Sequence, residues 1–227
     1  MKIFLSFLLV FGALLGSARG DLIISEVYPA GSGNVTYASD WFELTNTGAT
    51  AIDITGWKID DGSNSAAAAA TLANVTSIAA GQSVVFLEVS PANYAARVIS
   101  FNQFWFGSDT SSVVIGSYNG SGLGLSTNGD AVNIFDASNV LMANVTFGAT
   151  TAGATLDNAA GLTGSISTLS VVGVNGAFSS VGTPGEIGSP GSISAVPEPS
   201  SVVLAGLGMS GLMAWRRRKS MLPLSAV

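Results

Sequence analysis

DWFELTN, residues 40–46, sets apolar Phe42 and Leu44 against polar Glu43 and Thr45. Apolar side chains at every second position bury one face of a β-strand. Working outward, the same period returns in Ile52 and Ile54 around Asp53, and in Val132 and Ile134 around Asn133. It returns once more in Leu141, Ala143, Val145 and Phe147 against Met142, Asn144 and Thr146. Further strand candidates at 22–28, 57–60, 83–89 and 113–116 stand between punctuators such as Thr47-Gly48, Asp61-Gly62, Ala80-Gly81 and Asn128-Gly129. Seven or eight short strands at this spacing predict an all-β sandwich.

Trp41 or Phe42, with Trp57, supply the expected aromatic core, since burying each ring removes about 150–250 Å² from water. Helical character is confined to PANYAARVI, residues 91–99, where Pro91 suits a first turn and Tyr94, Val98 and Ala95 share a face. One or two turns are expected there. Residues 65–70 are Ala-rich and residues 150–168 are rich in Gly, Ala and Thr, so both read as loops.

Composition divides the 227 residues into a signal peptide (1–20), a body (21–191), a linker (192–200), a membrane segment with a basic cluster (201–219) and a tail (220–227). The body is the size of one domain. From residue 21 to 196 there are thirteen acids against two bases, Lys58 and Arg97, a net charge of −11. Such a surface repels phosphate backbones and excludes nucleic acid as a partner. With no cysteine in the chain, an apolar core rather than disulfides must hold the fold.

Met1 and Lys2 precede an apolar run over residues 3–15 and the small-residue segment Gly16-Ser17-Ala18-Arg19-Gly20, the layout of a secretory signal peptide. Ala18 and Gly20 fit the small pockets of a signal peptidase that cuts between Gly20 and Asp21. At the other end, Pro197-Glu198-Pro199 holds the chain extended, and residues 202–215 form an apolar stretch. That stretch reads as a short transmembrane helix whose end is kept in the cytoplasm by the stop-transfer cluster Arg216, Arg217, Arg218 and Lys219. Its fourteen residues cover about 21 Å of a hydrocarbon core about 30 Å thick, so Ser200, Ser201 and snorkelling arginines make up the difference.

This ordered tail resembles the PEP-CTERM sorting signal of Gram-negative and related envelope-bearing bacteria. The resemblance implies recognition by an exosortase, a membrane cysteine protease-transpeptidase, and removal of the tail near Pro197-Glu198-Pro199. In the body, LIISEV (22–27), DWFELTN (40–46), DITGWKIDD (53–61), IAAGQSVVF (78–86) and LSTNGDAVNIFDASN (125–139) resemble successive strands of the lamin-tail domain. That family is an immunoglobulin-like β-sandwich, and Gly182-Thr183-Pro184-Gly185 or Ser189-Pro190-Gly191 resembles its C-terminal end.

The absence of His and Cys removes the commonest general base, the thiol nucleophile and the usual zinc sets. No catalytic residue, metal ligand or cofactor is assigned. A Ser-Lys pair would need Lys58, with no strained nucleophile turn nearby. A glycosidase pair, about 5–9 Å apart, would have to be drawn from Glu26, Asp40 and Glu43, for which solvated strand positions are the simpler reading. Asp60-Asp61-Gly62-Ser63-Asn64 allows weak calcium binding but lacks the Asp-x-Asp spacing and distal Glu of an EF-hand loop, so a turn with solvated carboxylates is expected. Sequons at Asn34, Asn74, Asn119 and Asn144 matter only in a host that has the transferase.

These readings describe an exported, non-catalytic protein processed by signal peptidase and exosortase. It is membrane-anchored at its C-terminus in transit, then displayed at the cell surface or in the extracellular matrix. There a rigid sandwich serves adhesion or scaffolding toward a polysaccharide or protein. The alternative is a carbohydrate-binding or carbohydrate-active secreted protein that presents Trp105 and Phe106 as an exposed stacking surface.

Overall fold

Alternating segments become paired strands. Along the chain run β1 (Leu22–Tyr28), the single turn α1 (Gly31–Asn34), β2 (Trp41–Asn46), β3 (Ile52–Asp53), β4 (Lys58–Asp60), β5 (Ala70–Thr71), β6 (Ser77–Ile78) and β7 (Ser83–Glu88). The helix α2 (Tyr94–Phe106) precedes β8 (Val114–Tyr118), β9 (Asp130–Phe135), β10 (Leu141–Phe147), β11 (Leu156–Asp157), β12 (Gly164–Ile166), β13 (Phe178–Ser179) and β14 (Ile187–Gly188). The computed structural model describes residues 22–192. The signal peptide with its cut at Gly20 and Asp21, the Pro197-Glu198-Pro199 motif, the apolar stretch and the Arg216, Arg217, Arg218, Lys219 cluster lie outside those residues. Among the described residues, no helix is long and apolar enough to cross a membrane.

Two five-stranded sheets form, in the orders β11-β1-β2-β7-β8 and β12-β10-β9-β4-β5. Pairing is antiparallel except between β7 and β8 and between β10 and β12. Phe42, Leu44, Val84 and Phe86 of the first sheet share an apolar core with Ile59, Val132, Ile134 and Val145 of the second, and Trp57 joins it. The described residues are thus mostly β-sheet with few helices, two sheets packed as a sandwich over a shared core.

The opposite face of the first sheet is buried too. Because β7 and β8 are parallel, the chain must cross over the sheet between them, and it does so as a 3₁₀ turn at Pro91–Asn93 followed by α2. At thirteen residues α2 exceeds the one or two turns expected. The residues that extend it, Phe101, Phe104 and Trp105, pack on Tyr37, Trp41, Val85 and Leu87 in a second core, and this tertiary contact overrides their modest helix propensity. Gly107, at φ 70°, ends the helix in a left-handed turn.

Residues 150–168 also depart from the expectation of a loop. There β11 joins the edge of the first sheet and β12 the edge of the second, each seated by a buried apolar side chain, Leu156 and Ile166.

Candidate functional site

Between Ile24, opposite Leu44, and Glu26, opposite Glu43, β1 carries one residue more than β2. Such a bulge turns two successive side chains to one side of the sheet, and Ser25 and Glu26 both reach the outer face. Glu26 and Glu43, expected to be solvated, are fully buried there, and Asp40 is nearly so. The reason is the cover on this face: α2 lies over its apolar half and the closing segment, residues 186–191, over its polar half.

Hydrogen bonds fix that cover. Glu26 Oε1 accepts the Ser189 N–H at 2.8 Å and the Thr155 hydroxyl, and its Oε2 accepts Ser189 Oγ at 3.2 Å. Glu43 Oε1 accepts Ser25 Oγ at 2.7 Å, and Oε2 accepts the Gly191 N–H at 2.6 Å. None of these partners is cationic. Burial therefore pushes both carboxyls well above the usual carboxylate range, and the charge of Glu43 adds to the effect at Glu26. Glu186 accepts hydroxyl bonds from Tyr28 and, at 3.0 Å, from Tyr37; burial still raises it to about 7. With both oxygens of each carboxyl engaged by donors, these groups clamp the closing segment to the sheet.

A separate cleft of about 290 Å³ opens where β7 and β8 end and α2 begins, lined by Glu88, Ser90, Asn93, Arg97, Asn119 and Ser121. Its carboxylate is linked to Asp40 through Ser32, whose N–H donates to Asp40 Oδ1 at 2.9 Å and whose hydroxyl donates to Glu88 Oε2 at 3.4 Å. Burial, with the charge of Glu88 adding, raises Asp40 to about 7. A Cβ at Gly120 would lie 2.1 Å from Glu88 Oε1, so a larger residue here would push the Glu88 side chain aside. Arg97 is held by donating to the Tyr37 carbonyl. Amide, hydroxyl, carboxylate and guanidinium groups give this cleft both donors and acceptors, a lining suited to holding a hydroxyl-rich ligand.

The remaining candidates are placed elsewhere. Trp105 is 1% exposed, so it is no stacking platform: it meets Trp41 edge to face at 6.0 Å in the second core, while half-buried Phe106 packs on Phe178. Lys58 Nζ donates to Asn139 Oδ1 at 2.7 Å. The Asp60–Asn64 segment is a turn, as its residues suggest, but Asp60 is buried rather than solvated, its Oδ2 accepting Ser63 Oγ and the Ser65 N–H. Among the described residues, no group of three or more His, Cys, Asp or Glu side chains comes together to hold a metal ion. Of the sequons, Asn34, Asn74 and Asn119 are exposed and Asn144 is half-buried.

Sequence reasoning missed Glu186, Thr155, Ser189 and Gly191. One signal was available: Glu186 is the lone charged residue between Asp157 and Glu198, and an isolated acid in a neutral stretch invites a search for a buried partner. In comparison with known proteins, the family model for the lamin tail domain matches residues 16–149. The model for the PEP-CTERM protein-sorting motif matches residues 195–219. No curated protein and no solved structure matches the chain.

Proposed function

Since this chain belongs to the lamin-tail-domain family and carries a PEP-CTERM sorting motif behind that domain, we propose that it is an exported, non-catalytic protein of the cell surface or extracellular matrix. In this reading a signal peptidase removes residues 1–20 and an exosortase cuts near Pro197-Glu198-Pro199. The freed domain, an immunoglobulin-like sandwich of the lamin-tail type, then acts in adhesion or scaffolding. The observation that carries the reading is the order of parts: an acidic domain followed by the motif at 195–219. Support for the non-catalytic role comes from the lack of His and Cys and from carboxylates committed to holding the fold.

Intact-mass analysis of the protein from its native host tests this. The expected species starts at Asp21 and ends near Pro197. A mature chain that keeps Arg216 to Lys219 would replace exosortase delivery with a permanent C-terminal anchor.

A further inference from the structure

Residues 169–174 form one of the exposed apolar segments of this acidic domain, as do Val140, Leu141 and Met142. No charged residue lies between Asp157 and Glu186, and Glu186 is itself buried. Within that neutral stretch, Leu169, Val171, Val172 and Val174 are 44%, 57%, 56% and 48% exposed. The valines are displayed on a tight loop, closed by the Val174 N–H on the Val171 carbonyl at 3.0 Å and the Gly173 N–H on the Ala177 carbonyl at 2.8 Å. Nothing in the domain core requires large apolar side chains at these positions, since none of them packs into either core.

The loop sits where the chain leaves the domain. β13 follows it directly and pairs antiparallel with β14, Phe178 opposite Gly188, so the chain beyond β14 runs back toward the loop. A Cβ at Gly176 would lie 3.1 Å from Ser192 Oγ, which places the loop against the last described residue. The next apolar stretch starts at Val202, ten residues on, within about 35 Å even if the linker is fully extended. We propose that the loop at residues 171–174 is a membrane-contact loop, dipping into the bilayer in which this chain's own tail is held. The proposal rests on the reading of residues 202–215 as lipid-inserted.

Tethering favours this occupant. The net −11 of the body opposes approach to anionic headgroups; residues 169–174 carry no charge themselves, and the adjacent Asp157 is engaged by the Asn175 side-chain amide, which donates to its Oδ2 at 2.8 Å. Three valines and a leucine bind lipid weakly by themselves, because interfacial affinity scales with buried apolar area. A tether this short turns the contact into an intramolecular one at high effective concentration, so a weak contact suffices. The loop would orient the domain on the membrane until the tail is cut, then release it.

The chain has no cysteine, so Val172→Cys in the full-length protein gives a single labelling position at an exposed side chain. The labelled chain is reconstituted into phosphatidylcholine–phosphatidylglycerol vesicles and floated. A fluorophore at 172 is expected to lose most of its emission to a lipid-borne nitroxide and little to aqueous iodide. A chain that floats but is quenched by iodide overturns the loop assignment and leaves the tail reading intact. A label shielded from both quenchers places a second copy on the loop and likewise overturns it. A chain that fails to float overturns the tail reading and the loop assignment together.

Discussion

At Gly188 the closing segment comes closest to the sheet. A Cβ there would lie 2.8 Å from Glu26 Oε1, 2.9 Å from Thr155 Cγ2 and 2.9 Å from Trp105 Cη2. Glu26 is held by its hydrogen bonds and Trp105 by a ring cluster with Trp41, Phe101, Phe104 and Phe178, so neither neighbour yields easily. Gly188→Ala is expected to cost about 1–3 kcal/mol by overpacking, read as a lower urea midpoint with an unchanged slope. A variant as stable as the parent would show that the segment floats above the sheet rather than being clamped to it. The residues under the clamp explain what the sequence concealed. Alternation in DWFELTN distinguishes the two faces of β2 and assigns Phe42 and Leu44 to the core, but it carries no record of what covers the other face. Glu43 and Thr45 look identical in sequence whether they meet water or a neighbouring segment.

Among the elements, the long strands were the most legible. β2 and β10 lie where the period of two placed them, and β1 and β7 where turn residues bounded an apolar run. The far half of α2 was not, since Phe101, Phe104 and Trp105 are poor indicators of helix until Tyr37 and Trp41 are brought beneath them. β11, β13 and β14, at two residues each, are too short to carry any period. Yet the region beyond the family match supplies the N–H groups of Ser189 and Gly191 and the hydroxyl of Thr155 to the buried carboxylates. A chain ending at residue 149 loses those donors, and each buried acceptor so orphaned costs about 1–3 kcal/mol. It also exposes the outer faces of β1 and β2. Residues 22–149 are expected to give no cooperative thermal transition by circular dichroism, whereas residues 22–192 melt in one step. A sharp transition in the shorter chain would make the added strands an ornament on a self-sufficient domain.

For the whole molecule, the buried carboxylates set an unusual dependence on pH. In most proteins paired carboxylates titrate below their ordinary values and acid unfolds the chain. Here burial without a cation raises Glu26 from 4.5 to about 8 and raises Glu43 with it, while Asp40 and Glu186 reach about 7. Between the ordinary carboxylate range and about 8, the native state therefore holds more protons than the unfolded chain, and stability must fall as pH rises. The stabilisation is complete below the unfolded values and is lost as pH climbs through the folded ones. Asp53, lowered by its hydrogen bonds with Thr55, acts in the opposite sense, but it is exposed and weighs little. A deficit on the order of 3–5 kcal/mol at alkaline pH is the scale set by Glu26. At about 2–4 °C per kcal/mol for a domain of this size, the melting temperature is expected to drop by roughly 6–20 °C from mildly acidic to mildly alkaline buffer. Glu26→Gln keeps the side-chain shape and cannot ionise, so it should flatten that fall and leave the variant more stable than the parent at the alkaline end. A parent whose melting temperature instead climbs over the same range would mean that the pair is ionised in the native fold, and the neutral clamp would have to be abandoned.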